Sequence, residues 1–328
     1  MSTEIYSENH NENLDSKYIV ESELGNSLDS TVYKVRDSFS DKICVLKVFK
    51  PYSRSFKNEK ELNEILMNSE SPFFIKYIPP TTYNFYSRSN LLFEFASKGN
   101  LLKYLSTVKE GFDETNCKVL FYKIIKPLQT LHKIGICHRD IRPQNILFDG
   151  EKFVLKIGNF GFSALINGKD GKIILKGKIG SEEEYMAPEV KRGKEYDGGK
   201  VDIYSAGVLL FTLRTGKNPF PISQVFNVGN RTKKLYKYIK DKDEKKFWYI
   251  LEKLGIDGFS PEFKDLFFKM VAFNPNERPT IEEILNHDWM KDITKLNEEE
   301  FKKYEENMIT ELKSRERILE NFRESKVI

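Results

Sequence analysis

His138-Arg139-Asp140-Ile141-Arg142-Pro143-Gln144-Asn145, followed fourteen residues later by Asn159-Phe160-Gly161, is the stretch on which the reading of this chain turns. It gathers a carboxylate, two guanidinium groups and several side-chain amides into one short run of sequence. Before it, from Gly99 onward, the texture is helical, with Leu101, Leu102 and Leu105, then Val119 to His132. Further upstream the runs are short, β-branched and aromatic: Tyr18-Ile19-Val20, Thr31 to Val35 and Ile43 to Val48. Polar turn residues separate them, which predicts an antiparallel meander. Phe56 to Met67 interrupts the strands with Leu62, Ile65 and Leu66 at helical spacing, before Leu91-Leu92-Phe93-Glu94-Phe95. Strands followed by helices predict a small β-rich lobe and a larger helical one, an α+β fold.

The chain has 328 residues, enough for a two-lobed unit with a sizeable core. With 39% hydrophobic and 31% charged residues it reads as soluble and globular. A net charge of +4 supplies no reason to invoke nucleic acid or an acidic membrane surface. Cys44, Cys117 and Cys137 lack disulfide or zinc spacing and suit a reducing compartment as small buried side chains. Met1 to Ser16 is polar, without the apolar core of a signal peptide. Val201 to Leu213, the most apolar segment, contains Asp202 and is too short to span a membrane. An intracellular, cytoplasmic protein is the expectation. Lys233 to Lys246 reads as a solvated face. In Asn297 to Arg323, Phe301, Tyr304, Met308, Leu312, Leu319 and Phe322 recur at three- to seven-residue steps. That pattern predicts an amphipathic helix, which either packs on the body or binds a partner.

Residues 18–290 resemble a eukaryotic protein kinase of the serine/threonine type, with about eight motifs in family order and spacing. The 138–145 run is similar to the family's catalytic loop, and Asn159-Phe160-Gly161 to its Asp-Phe-Gly, with Asn in place of Asp. Ala187-Pro188-Glu189, Asp202-Ile203-Tyr204-Ser205-Ala206-Gly207 and Asn274-Pro275-Asn276-Glu277-Arg278-Pro279 also match. The resemblance implies a flexible tail at 1–16, a kinase domain at 17–290 divided into lobes 17–95 and 96–290, and a charged helical extension at 291–328. It further implies a nucleotide cleft between the lobes, with ATP and Mg²⁺ or Mn²⁺ as cofactors. Asp140 would accept the substrate hydroxyl's proton, Arg142 would stabilise developing charge, and Asn145 and Asn159 would share the metal. Glu189 would pair with Arg278.

In the first lobe, Gly25-Asn26-Ser27-Leu28-Asp29-Ser30-Thr31-Val32 stands where the family has a loop of three glycines. Gly25 matches, Ser27 and Ser30 replace the others, and Asp29 would bring negative charge near phosphates unless it points outward. Lys47 matches the phosphate-binding lysine, and Val45 a residue under the adenine ring. Glu61 gives the best match for the lysine's carboxylate partner, with Glu59 and Glu64 as rivals. Glu94-Phe95-Ala96 matches the segment whose backbone groups bind adenine, behind Phe93. The implied ATP-binding set is therefore Gly25, Val32, Val45, Lys47, Glu61, Glu94 and Ala96.

Asn159 offers an amide oxygen but no charge to a cation that favours carboxylates, so weakened catalysis is expected. The rival is a pseudokinase, a nucleotide-binding scaffold or allosteric partner. Ala164 to Gly180 contains no Ser, Thr or Tyr, which predicts no switch by phosphorylation there; Glu182-Glu183-Glu184 reads as a solvated acidic turn, with pairing to Arg139 or nearby lysines as the alternative. Asn100 and Gln144 stand where arginine-directed relatives carry Glu, predicting no strong preference for upstream basic residues. The implied partner is a protein, either substrate or regulated target.

Overall fold

The computed structural model describes residues 17–27, 29–69, 71–79, 89–108, 110–165, 174–175, 183–193, 195–220 and 231–325. The tail at 1–16 and residues 180–182 lie outside the described residues. The chain forms two compact units, Met1–Ser97 and Lys98–Ile328.

The first unit is a five-stranded antiparallel sheet in the order β1-β2-β3-β5-β4. Its strands are β1 (Tyr18–Asn26), β2 (Ser30–Asp37), β3 (Ile43–Phe49), β4 (Tyr77–Ile78) and β5 (Asn90–Glu94). Side chains alternate between faces with period two, and directly paired residues share a face. Val35, Cys44, Leu46 and Leu92 therefore pack together on one side. On the other, Gly25 lies opposite Val32, Val32 opposite Lys47, and Val45 opposite Phe93. The helix α1 (Arg54–Asn68) starts at Ser53, whose hydroxyl accepts the Phe56 N–H at 3.1 Å. Phe56 packs against the cluster of Phe49, Tyr77, Leu91 and Phe93, as Val45 also does, which puts α1 on the Lys47 face.

The second unit is helical around a few short strands. These are β6 (Gly99–Asn100), β7 (Ile136–Cys137), β8 (Ile146–Asp149), β9 (Val154–Ile157), β10 (Ala164–Leu165), β11 (Ile174–Leu175) and β12 (Tyr196–Asp197). The helices are α2 (Leu101–Leu105), α3 (Glu114–Lys133), α4 (Pro188–Lys191), α5 (Gly198–Thr215), α6 (Arg231–Lys240), α7 (Glu244–Lys253), α8 (Pro261–Met270), α9 (Ile281–Leu285), α10 (Lys291–Thr294) and α11 (Glu298–Glu324). The apolar run Val201 to Leu213 is the central helix α5, buried along its length rather than on one stripe. Gly207 lets α8 approach: a Cβ there would stand 2.9 Å from that of Met270. Phe211, Phe247, Trp248, Phe263 and Phe267 fill the space below. Glu189 and Arg278 form a buried two-pronged ion pair, at 2.6 and 2.8 Å.

The C-terminal stretch packs on α3 within this unit through α11. Met308, Leu312 and Arg315, spaced four and three residues apart, form its buried stripe, while Phe322 is exposed. Arg315 donates to the carbonyls of Tyr104, Glu110 and Gly111 and to the Glu311 carboxylate, and its guanidinium lies 3.9 Å from the Phe112 ring centre. Glu316 meets Lys98 at the edge. Arg315→Ala removes the donor to one buried and two part-buried carbonyls, a buried orphan being worth about 1–3 kcal/mol, and is expected to lower unfolding free energy by about 3 kcal/mol. Glu316→Ala removes a partly exposed pair and is expected to change it by less than about 1 kcal/mol. Urea denaturation of the two variants measures the contrast.

Candidate active site

In the first unit the sheet register collects Gly25, Val32, Val45 and Lys47 on one face. Lys47 Nζ donates to Glu59 Oε2 at 2.7 Å, with side-chain exposures of 12% and 2%. This corrects the expectation for Glu61, which is exposed. The buried stripe of α1 is Glu59, Leu62, Asn63 and Leu66, the i, i+3, i+4, i+7 pattern of one helix face. Glu61 is two residues from Glu59, some 200° around the helix by the 3.6-residue turn, and so points away from the sheet. Asn63 Nδ2 donates to the Glu59 carbonyl at 2.7 Å.

The turn before β2 is closed by the two serines that replace glycines. Ser27 N–H donates to Ser30 O at 2.8 Å, and the Ser27 hydroxyl accepts the Ser30 N–H at 3.0 Å. Asp29 turns toward α1, where its carboxylate accepts from the hydroxyls of Ser53, at 2.7 Å, and Ser55. Those hydroxyls, Ser55 first, hold its pKa below the ordinary carboxylate value. Glu94 lies opposite Cys44, so its side chain is on the other face of the sheet, where it accepts the Lys76 N–H at 2.8 Å. Phe93 and Ala96 are buried.

In the second unit the 138–145 loop runs between β7 and β8, and Asn159 follows β9. Gly158 N–H to Asn145 O, at 3.0 Å, ties the two together. His138 is fully buried; Nδ1 accepts the Asp140 N–H at 3.2 Å, so Nε2 carries the proton that Gly158 O accepts at 3.1 Å. Asp140, 5% exposed, has its Oδ2 held by Asn145 Nδ2 at 2.7 Å and Arg142 Nε at 3.2 Å. Asn145 Nδ2 also donates to the Asp140 carbonyl at 2.7 Å. Both its partners there are acceptors, so the amide nitrogen must face Asp140 and the amide oxygen must face Asn159. Asn159 Nδ2 donates to that oxygen at 3.1 Å. Asn159 has φ of 66°, a left-handed conformation that Asn adopts more readily than most residues.

Sequence reading left unassigned the residue that anchors this loop. Asp202, fully buried on α5, accepts from the backbone N–H groups of His138 at 2.8 Å and Arg139 at 2.6 Å, and contacts His132 Nε2 at 2.8 Å. An aspartate inside the most apolar run was the available signal, because a buried carboxylate demands donors. Arg139 meets Tyr196 Oη and Ser163 O, both at 3.2 Å, through its guanidinium. Of the acidic triplet weighed as an alternative partner for it, Glu182 lies outside the described residues.

The Lys47 pairing is testable by stability alone. Glu59→Ala removes the buried carboxylate of a mostly buried ion pair and is expected to destabilise by about 3–5 kcal/mol. Glu61→Ala, on the exposed face, is expected to stay within about 0.5 kcal/mol in the same denaturation assay.

Relatives share most of the chain. A probable serine/threonine-protein kinase of Dictyostelium discoideum is 33% identical over 214 residues, covering 63% of this chain and 23% of the relative. Testis-specific serine/threonine-protein kinase 5 of Mus musculus is 29% identical over 214 residues, with 64% and 52% covered. CBL-interacting serine/threonine-protein kinase 14 of Arabidopsis thaliana is 35% identical over 207 residues, with 62% and 42% covered. The matched region thus spans between about a quarter and about half of these relatives. The model of the protein kinase domain matches residues 18–290, the span that contains Lys47, Asp140, Asn145 and Asn159, and the chain belongs to the protein kinase family.

Proposed function

We propose that the chain transfers the terminal phosphate of ATP to serine or threonine of a protein substrate, at a reduced rate. The observation that carries this reading is the Asp140 carboxylate, buried and held at one oxygen by both Asn145 and Arg142. A carboxylate so oriented can accept a hydroxyl proton as the hydroxyl attacks. Lys47, aligned by Glu59, supplies a charge for phosphate oxygens. Arg142 adds a second positive charge beside Asp140, with a planar fork rather than the point charge of lysine.

The donors fit a hard divalent cation in atom type but fall short in charge. Its protein ligands would be the amide oxygens of Asn145 and Asn159, without the carboxylate that Mg²⁺ favours. When bound, Mg²⁺ or Mn²⁺ would neutralise charge on the phosphates. The missing negative charge at position 159 is the reason for the reduced rate. A loss of about 1.4 kcal/mol in the transition state is already tenfold.

A second reading, a nucleotide-binding scaffold without transfer, is favoured by one observation. The Asn159 amide donates to Asn145 Oδ1, so one proposed ligand oxygen is already occupied by a hydrogen bond. Neither reading requires a basic substrate: Asn100 is neutral, and its side chain caps α2 by accepting the Lys103 N–H at 3.2 Å.

Transfer of labelled phosphate from ATP to a generic protein, with Mg²⁺ and with Mn²⁺, tests the proposal. Wild-type signal that vanishes in Asp140→Ala and rises about tenfold or more in Asn159→Asp is expected. Transfer only in Asn159→Asp would select the scaffold reading. On a peptide array, no requirement for upstream arginine is expected; a strict one would overturn the substrate reading.

A further inference from the structure

The glycine-loop segment carries an acid at position 29, and its surroundings decide what that acid does. A carboxylate aimed at nucleotide phosphates would repel them. In this chain the Asp29 carboxylate instead accepts from two hydroxyls that lie 24 and 26 residues away in sequence, those of Ser53 and Ser55. Ser53 is the N-cap of α1, so its oxygen accepts the Phe56 N–H while its own proton goes to Asp29. The hydroxyls of Ser53 and Ser55 are themselves 2.9 Å apart. The backbone reinforces the link: Lys50 N–H donates to Asp29 O at 2.9 Å, and Ser53 N–H to Lys50 O at 3.2 Å.

We propose that Asp29 is a positioning residue, a latch that fastens the 25–32 turn to the N-terminal end of α1. The same helix carries Glu59, the partner of Lys47. The latch therefore links the turn to the helix that sets the Lys47 ammonium, and both move as one piece. The anionic charge of Asp29 is spent on the helix end, where negative charge is favourable because the first N–H groups of a helix are unpaired. This inference rests on the proposed reading that the turn meets nucleotide phosphates.

The latch and simple charge repulsion predict opposite signs, which makes the test direct. The full chain is titrated with a non-hydrolysable ATP analogue by calorimetry, as wild type, Asp29→Ala, Ser55→Ala and the double variant. Backbone hydrogen exchange of residues 25–32 and 54–60 is followed in the same proteins without nucleotide. The latch predicts about tenfold weaker binding in Asp29→Ala, as expected for losing hydrogen bonds to a charged group. It predicts a similar loss in Ser55→Ala, little further loss in the double variant, and faster exchange in all three. Tighter or unchanged binding in Asp29→Ala, or unaltered exchange, overturns the proposal. If the wild type binds no nucleotide, the nucleotide reading fails, and exchange alone judges the latch: acceleration in both single variants supports it, and no change overturns it.

Discussion

The arrangement of the 138–145 loop in the second unit depends on one buried carboxylate, that of Asp202. Both oxygens are occupied: Oδ1 by the Arg139 N–H, and Oδ2 by the His138 N–H and the His132 ring. An unpaired carboxylate in this apolar helix would be strongly disfavoured, so the catalytic loop is where its donors must be. The hold also accounts for Arg139 at φ of 63°, a conformation that costs about 1–2 kcal/mol for a residue with a Cβ and persists only when its surroundings impose it. With Arg139 and His138 fixed, Asp140 is presented at a set position. The burial of α5 is thus what stations the acid of the catalytic loop.

From Asp140 the order passes outward through amides. Acceptors on Asp140 set which way the Asn145 amide faces, and Asn145 then sets which way Asn159 faces. A carboxylate at position 159 would place oxygen against oxygen, an arrangement that a cation relieves. The amide relieves it internally by offering N–H. A single nitrogen in place of an oxygen therefore changes the local electrostatics at Asn145.

Stability of the second unit draws on a different device at its C-terminal end. Arg315 sits in a stripe otherwise apolar and satisfies three carbonyls from the segment that includes Tyr104, Glu110 and Gly111. The docking of α11 brings that donor to them. The free thiols Cys44, Cys117 and Cys137 are all buried, and burial pushes each thiol's pKa up, leaving them packing groups. No described helix is long and apolar enough to cross a membrane.

Sequence by itself determined the α+β fold, because strand alternation, helical spacing and ordered motifs are local patterns that a single chain displays. It also foresaw the pairing of Glu189 with Arg278. It did not choose Glu59 over Glu61, since several glutamates share one helix and only packing against the sheet selects the buried face. It left Asp202 without a role and the direction of Asp29 open. Each of those outcomes depends on donors brought from distant parts of the chain: backbone N–H groups for Asp202, serine hydroxyls for Asp29. Periodicity encodes which residues turn inward, but the partner of a buried polar group is a property of the assembled neighbours, and only the tertiary structure decides it.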